Sequence, residues 1–126
     1  MNLVDSCGWL EYFAAGPNAD FFAPALEVPA ELVVPTISVY EVFKRVAQQR
    51  GESDALQAVA LMQQGTVVDL TAPIALEAAR MSAALGLPMA DSVMLATARS
   101  SRATLWTQDS DFEGVEGVRY GAAQPG

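Results

Sequence analysis

Histidine is absent from the 126-residue chain, and cysteine occurs once, at Cys7. The first absence excludes Ser-His-Asp, Cys-His and phosphohistidine chemistry. Together they leave no soft or imidazole-based zinc centre and no internal disulfide. Any metal must therefore be held by oxygen, and any proton transfer falls to carboxylates. Positive charge is also scarce: seven Lys and Arg stand against fifteen Asp and Glu, a net charge of -8. Such a field repels polyanions at long range, so nucleic-acid binding would need local bases and a basic partner is the easier fit. No apolar run reaches the roughly 18 residues a membrane span requires, and the N-terminus lacks the basic start and apolar stretch of a signal peptide. A cytoplasmic protein without membrane contact is expected.

What is present is a large apolar fraction, 52% of residues, against 17% charged, enough to bury a core and too much for disorder. The length suits one domain, expected over residues 1–120, with 121–126 as a loose tail. Asn2 to Val4 reads as a short strand and Ser6 to Phe13 as a helix. Gly16-Pro17-Asn18 breaks that helix, and Asn18 is placed to cap a second short one. Leu32-Val33-Val34 has the β-branched, wholly apolar character of a strand buried on both faces.

Ser38 and Glu41 have the spacing of a capping box, opening a helix that runs to Arg50 and stops at Gly51. Ser53 suits the cap of the next helix, with Leu56, Val59, Ala60 and Gln63 on one face, before a strand over Thr66 to Leu70. Ile74, Ala78, Met81 and Leu85 recur at helical spacing up to Gly86. A helix over Pro88 to Arg99, a strand over Ala103 to Thr107 and a last short strand over Val118 to Tyr120 complete the pattern. Strands alternating with helices predict a three-layer α/β/α fold around a central, mainly parallel sheet.

In such sheets ligands bind beyond the C-terminal strand ends. Asp5 follows the first strand and Asp109 follows Leu105-Trp106-Thr107, while Glu41 and Asp91 sit in the first turns of their helices. Each has a bland alternative. Glu41 completes a capping box, Asp91 suits a helix N-terminus, Asp109 and Asp111 suit an Asx turn, and Asp5 caps the helix after it. If instead the four converge, their mutual repulsion calls for a divalent cation, and all-oxygen ligation fits Mg²⁺ or Mn²⁺. Such an ion lowers the pKa of a bound water and holds a phosphate oxygen, the apparatus of phosphodiester hydrolysis.

Leu3-Val4-Asp5-Ser6, Ser38-Val39-Tyr40-Glu41-Val42, Ala90-Asp91-Ser92 and Thr107-Gln108-Asp109-Ser110-Asp111-Phe112 resemble, in order, the acidic motifs of PIN-domain ribonucleases. The length and the closing motif are similar to those of VapC-type toxins of VapBC toxin–antitoxin pairs. The resemblance implies a PIN-like fold and metal-dependent endoribonuclease activity on RNA, in several relatives transfer or ribosomal RNA. It also implies a VapB-type antitoxin whose C-terminal segment covers the crevice, and a homodimer.

By that resemblance Asp5, Glu41, Asp91 and Asp109 are catalytic, Asp5 and Asp91 bind Mg²⁺ or Mn²⁺, and Ser6, Thr107 and Asp111 support them. Cys7 departs mildly from the small hydroxyl residue expected after Asp5-Ser6. Lys44, Arg45 and Arg50 along the helix of Glu41, and Arg99 and Arg102 ending that of Asp91, are candidate phosphate contacts; solubility, and helix-dipole complementarity for Arg50, Arg99 and Arg102 near helix C-termini, is the alternative. Two other readings stand beside this one: a PIN-type RNA-processing nuclease without an antitoxin, and a catalytically silent PIN-like protein-binding module.

Overall fold

The computed structural model describes residues 1–125. Five strands, β1 (Asn2–Val4), β2 (Leu32–Pro35), β3 (Thr66–Val68), β4 (Thr104–Thr107) and β5 (Val118–Tyr120), form one sheet of order β3-β2-β1-β4-β5. Every pairing is parallel, so the sheet expected to be mainly parallel is wholly so.

Side chains alternate across this sheet with the two-residue period of extended chain. Leu3, Val33 and Leu105 point to one face and pack against α5 (Ala72–Leu85) and α6 (Met89–Ser100) through Ala78, Met81, Val93 and Met94. Val4, Val34 and Trp106 point to the other and meet α1 (Ser6–Phe13), α2 (Ala19–Leu26), α3 (Thr36–Arg50) and α4 (Glu52–Met62) through Trp9, Phe22, Val42 and Met62. Helices thus cover both faces, which is why β2 is apolar throughout and β1 and β4 keep apolar middles. No single helix is long and apolar enough to cross a membrane.

Several local expectations are corrected. First, α3 starts at Thr36 directly after Pro35, so Ser38 lies inside the helix and makes no capping box with Glu41. Its hydroxyl, fully buried, instead donates to Met94 Sδ at 3.2 Å. Proline fixes an extended φ just ahead of Thr36, and that sets the helix start ahead of the serine.

Second, α4 turns a different face inward. Ala55, Ala58 and Met62 are buried while Leu56 is 55% exposed, because the small alanines let α4 lie close against α3. Ser53 is within this helix, whose N-cap is Gly51. Third, Asn18 occupies the N-cap of α2 without capping it; its amide donates to Gln108 Oε1 at 3.0 Å. The third strand is also shorter than expected, ending at Val68.

The C-terminal segment after β5 has no regular secondary structure over 121–125, although the Gly121 amide donates to the Thr107 carbonyl at 3.0 Å. Gly126, the last residue of the expected tail, lies outside the described residues.

Candidate metal centre

The chain leaves β1 toward β2 on one side, and β4 later takes the other side of β1. The C-terminal ends of β1 and β4 are therefore the point where connections diverge and a crevice opens. Asp5 stands at the end of β1 and Asp109 two residues after β4. The crevice holds about 490 Å³ and is lined by Asp5, Glu41, Asp91 and Asp109 together with Ser6, Cys7, Tyr40, Lys44 and Arg45.

Asp5 is buried and serves as the N-cap of α1, its Oδ1 accepting from the Ser6 amide at 2.8 Å. Its Oδ2 accepts from the Thr107 hydroxyl at 2.8 Å and from the Cys7 thiol at 3.5 Å. The capping role expected as the bland alternative is thus real, and the same carboxylate also faces the crevice. Burial lifts the Asp5 carboxyl above the ordinary carboxylate range, against the lowering effect of the hydrogen bonds from Thr107, Cys7 and Ser6.

Asp91 lies in the first turn of α6, partly buried. Burial, then the charges of Asp5, Asp109 and Asp111, push its carboxyl up to about 7. Asp109 caps the 3-10 turn Ser110–Phe112, accepting from the Asp111 amide at 2.9 Å, and its own amide donates to Thr107 Oγ1 at 3.0 Å. The Asx-turn geometry expected for Asp109 and Asp111 therefore occurs, with Asp111 itself exposed.

One oxygen each from Asp5, Asp91 and Asp109 lies within 4.8 Å of the others. Glu41 stands outside this trio but lines the same crevice, in the second turn of α3, where its Oε1 accepts from the Ser6 hydroxyl at 2.8 Å. Among the described residues the only ion pair joins Arg80 to Glu77, on the surface of α5, so no cationic side chain is ion-paired with the trio. Three carboxylates this close repel one another unless a cation lies among them, and their hard oxygen donors suit Mg²⁺ or Mn²⁺.

The five candidate phosphate contacts separate. Lys44 and Arg45 line the crevice, and Arg50 lines an adjoining cavity of about 210 Å³ between α1, α3 and α4. Arg99 and Arg102 line neither. Both lie at the opposite end of α6 from Asp91, Arg102 just beyond it and Arg99 in its last turn, roughly 12 Å along the helix axis, with its guanidinium donating to the Glu116 carbonyl at 3.1 Å. The helix that carries Asp91 at its start thus separates them from the crevice.

Cys7 and Tyr40 are among the crevice residues not singled out as functional from the sequence. Cys7 hydrogen-bonds Asp5, and burial, then the charge of Asp5, pushes its thiol up to about 12, so it acts as a neutral donor. Tyr40, one residue before Glu41, is 63% exposed at the crevice wall. Its signal was its place inside the Ser38 to Val42 motif.

The family model described as the PIN domain matches residues 3–118. No curated protein sequence matches the chain. Among solved structures the chain is similar to a toxin–antitoxin complex from Klebsiella pneumoniae, with 24% identity over 94% of this chain and 96% of that one and a TM-score of 0.79. It is similar to VapC20 of Mycobacterium tuberculosis, a sarcin-ricin loop cleaving toxin, with 18% identity over 92% and 95% and a TM-score of 0.75. DNA-bound VapBC from Salmonella typhimurium shares 15% identity over 97% and 98%, with a TM-score of 0.72. At these identities the three likenesses establish a common fold.

Proposed function

The chain belongs to the PIN-domain family, and from that premise we propose that it is a metal-dependent endoribonuclease, the toxin of a toxin–antitoxin pair. The observation that carries the reading is the convergence of Asp5, Asp91 and Asp109 at the divergence point of the sheet, within 4.8 Å and without a cationic partner. The donor set fits Mg²⁺ or Mn²⁺, held by Asp5 and Asp91 with Asp109 beside them. Bound there, the ion would supply Lewis acidity, lowering the pKa of a water and balancing charge on the scissile phosphate.

The remaining work belongs to side chains. Thr107 fixes the Asp5 carboxylate from one side, and Ser6 ties Glu41 to the start of α1. Asp91, its carboxyl raised to about 7, is partly protonated near neutral pH and would hold a cation in its deprotonated form. Glu41, outside the trio, is the carboxylate free to take a proton from the attacking water. Lys44 and Arg45 hold flanking phosphates in a protein whose overall charge repels RNA. Hydrolysis by this route leaves a 5′-phosphate.

An antitoxin partner is supported by the complexes in which the similar folds occur and by an apolar groove of about 620 Å³ on α3 and α4. Val39, Phe43, Ala47, Leu56 and Val59 line it, and it shares Tyr40, Lys44 and Gln48 with the acidic crevice. An antitoxin segment with apolar side chains in the groove and a basic one in the crevice would close the site. The homodimer and the cytoplasmic location implied by the resemblance belong to the same reading.

The test is cleavage of total RNA and end-labelled transfer RNA by protein freed of antitoxin, with Mg²⁺, Mn²⁺ or EDTA, beside Asp5→Ala and Asp91→Ala. Metal-dependent cleavage lost in both variants is expected. Folded, metal-binding protein that cuts no RNA would count for the protein-binding module instead.

A further inference from the structure

We propose that Tyr40 is a base-stacking residue of the crevice: its ring takes an unpaired base beside the phosphate at the acidic trio, and Lys44 takes that nucleotide's own phosphate. This rests on the nuclease reading above and assigns that site a residue that holds the base.

Tyr40 alone among the aromatic residues described is exposed; Trp9, Phe22, Trp106 and Phe112 are buried and the others partly so. A ring 63% exposed contributes little to the core, and α3 is anchored without it by Ser38, Val42 and Val46 on its buried side. Its position is specific. It precedes Glu41, lines the wall of the acidic crevice, and lies one turn from Lys44, whose ammonium sits 5.8 Å from the ring centroid. The ammonium stands over the ring face, so a base that takes its place on the ring leaves it beside that nucleotide's phosphate.

Charge explains why such a contact is needed. The protein carries a net charge of -8, and only Lys44 and Arg45 among its cations line the crevice. Binding through phosphate neutralisation grows with the number of cations engaged, and two give little. Stacking on an aromatic face is the contact that adds affinity without charge, and it tolerates any base. It is also stronger than an exposed cation–π contact, so an arriving base displaces the Lys44 ammonium from the ring and leaves it for the phosphate. Bases inside a duplex keep their faces stacked on one another, so the ring selects loops, bulges and single strands.

The experiment uses the full chain freed of antitoxin, with Mn²⁺ and a short oligoribonucleotide presented single-stranded or as a blunt duplex. Wild type is compared with Tyr40→Ala, Tyr40→Phe and Tyr40→Trp, and stacking is read by quenching of a 2-aminopurine placed in the single strand. Tyr40→Ala is expected to raise KM for the single strand about tenfold, to lose the preference over duplex and to lose the quenching. Phe and Trp should restore all three, with thermal unfolding the same in every variant.

No cleavage of either RNA by wild type would overturn the nuclease reading and this inference with it. Cleavage whose KM, strand preference and quenching survive Tyr40→Ala would overturn the Tyr40 assignment alone. The same result with weakened binding of a protein inhibitor would assign the ring to a protein contact.

Discussion

Thr107 Oγ1 donates to Asp5 Oδ2 at 2.8 Å and accepts from the Asp109 amide at 3.0 Å. One fully buried hydroxyl thereby ties together the acids that follow two neighbouring strands. The two carboxylates repel, yet the Asp5 carboxylate and the backbone of Asp109 are held by the same atom. This makes Thr107 the residue that keeps the trio narrow before any cation is present.

Thr107→Val keeps the shape and removes both bonds. Loss of such a supporting hydrogen bond at a metal site costs about 10- to 100-fold in metal affinity or activity. The unfilled bonding of buried Asp5 costs about 1–3 kcal/mol of stability. Metal titration by calorimetry and a urea melt read the two effects separately. A variant with wild-type metal affinity would remove Thr107 from the site.

Gly8 lies where α1 crosses β1 and α2. A Cβ there would meet Val4 Cγ1 at 2.5 Å and Phe22 Cε1 at 2.6 Å, both side chains fully buried. Gly8→Ala is therefore expected to destabilise the fold by about 1–3 kcal/mol through overpacking, despite alanine's better helix propensity. Because α1 carries Ser6 and Cys7 at its start, metal affinity should fall as well. A Tm equal to wild type would show that α1 shifts without cost.

The pH dependence follows from carboxyls raised by folding. Asp91 at about 7, like Asp5, binds its proton more tightly in the folded chain than in the unfolded one, where the ordinary value is 3.8. The folded state thus holds the extra proton between those values, and stability falls as pH rises from about 4 through about 7. A divalent cation, bound only by the folded and deprotonated site, should reverse the trend. Thermal unfolding in EDTA and in Mn²⁺ across that window tests it, and Asp91→Asn should flatten the EDTA slope. Stability that rises with pH in EDTA would contradict the site's electrostatics.

Legibility from sequence followed locality. Asp5 and Asp109 could be placed because each follows an apolar strand directly, and Asp91 because it opens a helix after Pro88. Buried strand runs such as Leu32 to Val34 were readable because a sheet covered on both faces demands them. Glu41 was placed correctly in the crevice but in the wrong turn, because Pro35 starts α3 ahead of the serine that mimics a cap. The inward face of α4 was misread because Leu56 outweighs Ala55 in hydrophobicity, while the close approach to α3 selects the smaller side chain. The bonds from Thr107 to Asp5 and from Asn18 to Gln108 span 102 and 90 residues, and no local pattern announces such pairs.

The division of the cations is the remaining prediction. Lys44 and Arg45 line the crevice, whereas Arg99 lies at the far end of α6 with its guanidinium on the Glu116 carbonyl. A phosphate contact contributes to the salt dependence of binding, so removing one lowers the slope of log K against log salt by about 0.7 for a single strand. Arg45→Ala should therefore weaken RNA binding and flatten that slope, while Arg99→Ala should leave both unchanged and act only on the packing between α6 and the segment before β5. Filter binding of a single-stranded oligoribonucleotide at several salt concentrations, without divalent metal, separates the two. Equal effects from both substitutions would mean that RNA reaches the distal face of α6, and the path assigned to the crevice wall would have to be abandoned.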